Sequence, residues 1–243
     1  MIRYSSMEKL ISSQLNYWKQ QKNKVEIVDL TRNRLIESTK LPFITVSREY
    51  GCFGYRIAER ITEILNSNKK ITPPWAAYNR ELLDKVMKDL GLSSGLMETM
   101  TGNARKTMTD LLQTYFDKFP PQIAVYRKLA ETVKVLAEVG HVILVGRASN
   151  FITKDIPHGF HVRIIASMDF KIDNVAAAQN VSKKEAEKII ISKTKDRDNF
   201  IKEYLRYDVT ETLNYDLVIN NAGHSTDEAA RLIISTMKLK GFF

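Results

Sequence analysis

One cysteine, Cys52, occurs in 243 residues, so no internal disulfide holds this chain, and a reducing, cytoplasmic setting is the expectation. No apolar run approaches the roughly 18 residues that a membrane-spanning helix needs. The opening residues Met1 to Ser6 carry no apolar core of the signal-peptide kind. The histidines His141, His158, His161 and His224 show no paired ligand spacing, so no zinc site is expected. No G-x-S-x-G elbow occurs, which removes one common nucleophile arrangement. There is no internal repeat and no low-complexity tract. No basic stretch is interleaved with aromatics in the manner of single-strand binders. The one glycine-bearing loop between a strand pattern and a helix pattern also lacks the lysine that phosphate-holding loops carry at its end.

What is present is a chain 44% hydrophobic, enough for a substantial core. One α/β domain with embellishments is the default, and two small domains the alternative. The formal charge of +9 favours polyanions in general, while a solvated basic surface is the simpler explanation. The basic residues are spread along the chain, with modest clusters at Lys19, Lys22 and Lys24 and at Lys183 and Lys184.

Residues from about Met7 to Lys22 read as an amphipathic helix, with Leu10, Ile11, Leu15 and Trp18 near helical spacing. Packing on the main body is the simplest use of that face. Val25 to Leu30 suggests an edge strand, and polar residues Thr31 to Lys40 separate this extension from the rest. Four apolar, β-branched runs read as buried strands: Phe43 to Val46, Val142 to Val145, Val162 to Ala166 and Tyr215 to Ile219. Helical patterns alternate with them. Two begin with capping-box signatures, Ser182 to Glu185 and Ser225 to Glu228. The last helix runs to about Lys238, with Ala229, Ile233 and Met237 on one face. The alternation predicts a mainly parallel sheet with right-handed crossovers. The mostly helical stretch from about Arg80 to Gly140 is too long for a simple crossover and reads as an inserted helical subdomain.

In such sheets ligands bind beyond the carboxyl ends of the strands. Ser47 to Gly54 and Gly146-Arg147 both follow strands there, so both could face one crevice. After Ser47 the first loop reads Arg48-Glu49-Tyr50-Gly51-Cys52-Phe53-Gly54-Tyr55-Arg56. Against the pattern G-x-x-x-x-G-K-[ST], Arg48 stands at the first glycine, Phe53 at the second, Gly54 at the lysine and Tyr55 at Ser/Thr. Gly51 and Gly54 permit close backbone approach and positive φ. An ordinary strand-to-helix turn and a phosphate-holding loop both fit. In the second case Arg48 and Arg56 can replace the missing charge. Glu49 can then orient an arginine or help hold Mg²⁺ through water. Cys52 at a helix start can have a lowered pKa, or simply be a small packed residue. Arg147, ending a buried strand, needs an anion or a carboxylate. Lys193, Arg197 and Asp198 fit a mobile lid over a transferring phosphate, or a solvated helix face.

Four blocks in order give the chain a resemblance to the cytidylate-kinase-like proteins, a branch of the P-loop nucleoside monophosphate kinases. The family's I-T-I-S-R-E-Y-G-S-G-G corresponds to Ile44 through Gly54, and its Y-D-R-E-L to Tyr78-Asn79-Arg80-Glu81-Leu82. Its V-G-R-G/C-A corresponds to Val145-Gly146-Arg147-Ala148-Ser149, and its Y-D-L-x-I-N to Tyr215 through Asn220. The resemblance covers roughly Leu41 to the C-terminus. It implies a three-layer P-loop-like α/β fold with a mainly parallel five-stranded sheet, a helical insert at about 80–140 and a lid at about 182–212. Residues 1–40 form an extension outside it.

By that resemblance Ser47 to Arg56 would hold ATP phosphates. Asn79, Arg80, Gly146 and Arg147 would lie near the acceptor monophosphate, and Lys193, Arg197 and Asp198 would belong to the lid. ATP and Mg²⁺ are the implied cofactors and a small nucleotide the implied partner. Neither membrane nor nucleic acid is expected, and a homodimer stays open. The implied reaction moves the ATP γ-phosphoryl to a nucleoside monophosphate or another small acceptor. The departures are Cys52-Phe53 for Ser-Gly and Asn79 for aspartate, beside the lysine that this branch lacks. They leave open a module that binds nucleotide without turnover and acts through regulation or interaction.

Overall fold

The structure, a computed structural model, describes residues 6–17, 41–68, 70–88 and 124–243. Its five strands are β1 Phe43–Arg48, β2 Ala76–Tyr78, β3 Val142–Val145, β4 Gly159–Ile165 and β5 Leu217–Asn220. They form one all-parallel sheet in the order β2-β3-β1-β4-β5. β1 is central: Ile44 lies between Ile143 of β3 and Phe160 of β4, all three fully buried. Apolar residues on both faces of β1 match a parallel sheet covered on both sides. The burial lapses at Ser47 and Arg48, where the strand meets the crevice.

The helices are α1 (residues 6–17), α2 Gly54–Asn66, α3 Arg80–Lys88, α4 Ala124–Val139, α5 Ser149–Ile152, α6 Met168–Gln179, α7 Lys183–Phe200 and α8 Thr226–Leu239. α2 buries Ile57, Ile61 and Leu65, and α8 buries Ala229, Ile233 and Met237, each set at helical spacing. The two pack side by side, tied by Arg60 Nε to Asp227 Oδ1 at 2.6 Å. α8 starts with a full capping box of Ser225 and Glu228. At α7 only the Ser182 arm forms, accepting from Glu185 N.

α1 packs on the main body, as its apolar face predicts. It covers the β2 edge of the sheet: Met7 Sδ accepts the Ala77 N–H at 3.2 Å. Gln14, fully buried, donates Nε2 to Pro74 O at 2.6 Å and to His141 O at 2.8 Å. Its Oε1 accepts the Tyr78 hydroxyl at 2.9 Å. An edge strand leaves unpaired backbone groups; Met7 partners one of them on β2, while Gln14 ties α1 to the loops that lead into β2 and β3. Burial raises the Tyr78 hydroxyl's pKa, so it stays a donor.

The strands differ from expectation at their starts. β4 begins at Gly159 rather than Val162, and β5 at Leu217 rather than Tyr215. β2 has no counterpart in the sequence reading. The Val25 to Leu30 strand, the polar stretch Thr31 to Lys40, the end of the first helix and the middle of the Arg80 to Gly140 segment lie outside the described residues. Among the described residues no helix is long and apolar enough to cross a membrane.

Candidate functional site

The strand connections run to one side from β1 to β2 and to the other from β3 to β4, so the order reverses beside β1. Three loops meet beyond the carboxyl ends there: residues 48–54 after β1, Gly146 to Ala148 after β3, and Ala166-Ser167 after β4.

The first loop makes a tight strand-to-helix turn. Gly51 has φ 91° and lies against Lys171 of α6. Gly54 lies within α2 and is not left-handed. The left-handed residue is Phe53 (φ 48°, ψ 30°), the N-cap of α2, whose side chain does not cap. That is the position where the phosphate-loop pattern has glycine, and a side chain there costs about 1–2 kcal/mol. The second loop is left-handed at three successive residues: Gly146 (φ 74°), Arg147 (φ 57°) and Ala148 (φ 54°). It is held by Gly146 N donating to Val46 O at 2.9 Å and by Ser149 N to Gly146 O at 3.0 Å. Strained backbone clusters where surrounding structure enforces it for function.

The Arg48 side chain crosses from the first loop to the second. Its stem lies against Gly54, and its guanidinium rests on Gly146, so close that a Cβ on Gly146 would fall 2.3 Å from Nη1. Arg48 has no carboxylate partner among the described residues. Desolvation, then the nearby Arg197 and Arg147 charges, lower its pKa to about 10, so at neutral pH it remains a cation short of counter-charge.

Carboxylates elsewhere in the cluster are shared. Glu49 binds Lys171 Nζ at 2.8 Å and lies 3.9 Å from Arg163 Nη2. Asp84 of α3 binds Arg147 Nη2 at 3.1 Å and lies 3.7 Å from Arg80 Nε. Arg163 is buried and also donates to Ser47 Oγ at 3.4 Å and to the Tyr215 hydroxyl oxygen at 3.3 Å. Such a crevice, with cations in excess of carboxylates, attracts an anion.

The α6–α7 hairpin docks on the first loop. Arg197 Nη1 donates to Arg48 O at 2.6 Å, and Asn174 Nδ2 donates to Gly51 O at 2.9 Å. The Tyr50 hydroxyl accepts from Gln179 Nε2 at 2.9 Å, and its ring packs on Val175, Ala186 and Ile190. Asp198 Oδ1 sits 3.7 Å from Arg197 Nε. Burial lowers the pKa of Arg197, with Asp198 opposing.

The structure therefore brings together Ser47, Arg48, Glu49, Tyr50, Gly51, Gly146, Arg147, Arg197 and Asp198. Other expected residues sit differently. Arg56 is exposed and lies over the Phe53 ring, 4.3 Å from its centroid, so of the two arginines only Arg48 reaches the crevice. Tyr55 packs against the core. Lys193 is exposed, one helical turn before Arg197. Arg80 is largely exposed and reaches the cluster through Asp84. Asn79 Oδ1 accepts from Leu82 N at 2.9 Å, an N-cap for α3. Cys52 is fully buried; burial, then Glu49, push its thiol up to about 11, so packing and not reactivity explains it. Its carbonyl accepts from Asn221 Nδ2 at 3.2 Å.

Sequence reasoning missed Arg163, Lys171 and Asp84. Arg163 carried a signal, a charge inside an apolar strand. Glu49 meets Arg163 and Lys171 rather than Arg48 or Arg56. It is shared between the two. Among the described residues no group of three or more His, Cys, Asp or Glu side chains could hold a metal.

Comparison with known proteins fits this geometry. The family model described as "Cytidylate kinase-like family" matches residues 43–223. No curated protein matches the chain. A solved structure, titled as the crystal structure of an uncharacterized protein from Eubacterium ventriosum ATCC 27560, is similar in fold. Its TM-score is 0.64 at 22% identity, over 82% of this chain and 99% of that one.

Proposed function

This chain belongs to the cytidylate kinase-like family, and from that premise we propose that it transfers the γ-phosphoryl of ATP to a nucleoside monophosphate or another small phosphate-bearing acceptor. The family match supports a nucleotide-binding, kinase-like protein. The observation that carries the finer reading is the convergence of Arg48, Arg147 and Arg197 over two strained loops at the carboxyl ends of β1 and β3.

Phosphoryl transfer needs little covalent chemistry from a protein; it needs positioning and charge neutralisation. A monophosphate acceptor is largely ionised at neutral pH, so its oxygen attacks without a side-chain base. The start of α2 has no side-chain cap; in this reading its amides hold the donor phosphates, where the helix dipole favours negative charge. Arg147, held by Asp84, lies between the donor loop and the start of α3, where an acceptor phosphate would be gripped. Arg197 comes from the docked hairpin, where it donates to Arg48 O; in this reading it serves the transferring group. Among the described residues no cluster of three or more carboxylate, histidine or cysteine side chains could hold a metal, so a bound metal would be held chiefly by the nucleotide's own phosphates.

The test is ADP formation followed by ³¹P NMR, with ATP and Mg²⁺ and an acceptor panel of CMP, UMP, dCMP and small phosphorylated metabolites. Acceptor-dependent ADP is expected. Arg147→Met lowers kcat about 100-fold, the usual effect of removing one transition-state donor. Background rates with every acceptor would sink the transferase reading. Nucleotide binding without turnover would then favour a regulatory module, the reading suggested by the Phe53 side chain at a glycine position.

A further inference from the structure

We propose that the phosphate-gripping cation of this loop has moved: Arg48, at the strand end, does the work that a lysine at position 54 does in standard phosphate loops. The inference rests on the nucleotide-binding reading above.

Steric exclusion carries it. Gly54 is helical, so no backbone strain demands a glycine there. Space demands it. A Cβ built on Gly54 would lie 3.1 Å from both Cβ and Cγ of Arg48 and 3.4 Å from Val46 Cγ1. The Arg48 stem occupies the room in which a lysine stem at 54 would begin. In the standard pattern position 48 is glycine, which leaves that room empty. A long cation at 48 thus crowds a long cation at 54, and the two compete for the same room.

The head group lands in the right place as well. The Arg48 guanidinium lies on Gly146, which has no side chain to displace it, and it neighbours Arg147 and Arg197 with no carboxylate partner among the described residues. Its lowered pKa fits a desolvated cation crowded by like charge. The other arginine of the loop, Arg56, is held on the Phe53 ring. A guanidinium grips phosphate with two parallel N–H donors, where lysine offers a single point charge. The ligand chemistry this points to is a nucleotide's phosphate chain.

Isothermal titration of the full chain with ATP and with inorganic tripolyphosphate tests this. The variants are Arg48→Met, Arg48→Gly, Gly54→Lys and the double Arg48→Gly/Gly54→Lys. Arg48→Met keeps the stem and the packing while removing the charge, and it should bind both ligands at least tenfold more weakly. Gly54→Lys alone should also lose affinity, because the two stems crowd each other. The double variant should recover to within about threefold of wild type. Circular dichroism and melting temperature identify any variant that fails to fold, and Arg48→Met then carries the test. Wild-type affinity in Arg48→Met, or a folded double variant no better than Arg48→Gly, would overturn the exchange while leaving nucleotide binding intact. Absence of binding by wild type would overturn the functional reading, and this inference with it.

Discussion

Substituting Gly146→Ala strikes the contact between the two loops, and its cost can be worked out from the geometry. Position 146 has φ 74°, which alanine adopts at about 1–2 kcal/mol. The new methyl would sit 2.3 Å from Arg48 Nη1 and 2.7 Å from Cζ. These atoms end a flexible side chain, so Arg48 swings away and the fold survives. The stability loss should stay near the backbone term, a fall in melting temperature of about 2–8 °C at 2–4 °C per kcal/mol. The functional loss should be larger, because the displaced guanidinium no longer faces the phosphates: at least tenfold in ATP affinity. A double-mutant cycle with Arg48→Ala isolates the contact. With the arginine truncated, Gly146→Ala should cost only its backbone strain, and the affinity losses should be strongly non-additive, by about 1 kcal/mol or more. Additive losses, or a Gly146→Ala variant that binds ATP like wild type, would refute the claim that Arg48 acts from its seat on Gly146.

Other expectations follow from the buried groups. The Cys52 thiol, fully buried and raised to about 11, should resist Ellman's reagent at pH 8 in the native state and react at once in denaturant; rapid native labelling would contradict the packing. Burial lowers the pKa values of His141 and His161 below 6.5, so the unfolded chain binds more protons as pH falls through that value. Stability should therefore fall on acidification from pH 7.5 to 5.5, and His141→Asn should flatten that slope in a denaturant titration. Gln14→Leu should cost about 1–3 kcal/mol, because the Tyr78 hydroxyl and the Pro74 and His141 carbonyls lose their partner; an unchanged melting curve would show that α1 does not brace the sheet edge.

Much of the fold was legible because burial on both faces leaves a plain mark. Ile44 to Val46, Val142 to Val145 and Val162 to Ile165 are β-branched runs, and such runs in a chain this size are sheet interior. β2 escaped notice because Ala76–Tyr78 is three residues long and its burial comes partly from α1, far away in sequence. Part of the site was visible in the same way: Arg147 follows directly on a buried strand, and Arg163 lies inside one, a signal left unread. Lys171 and Asp84 were invisible, since ordinary helix faces carry such residues and only the fold brings them to Glu49 and Arg147. Asn79 could have been read as a helix cap, being a favoured cap residue just before a helical pattern. The missing lysine was plain in the sequence. That the Arg48 stem fills its place could be seen only in three dimensions.

The central claim is that the arginine-lined crevice holds nucleotide phosphates. It is tested most directly by a thermal-shift titration with ATP, ADP and CMP, on wild type and on Arg48→Met. At 100 times Kd, bound ATP should stabilise wild type by about 2.7 kcal/mol, a rise of about 5–10 °C. That rise should shrink sharply in Arg48→Met. No shift with any nucleotide, or an equal shift in both proteins, would contradict the account.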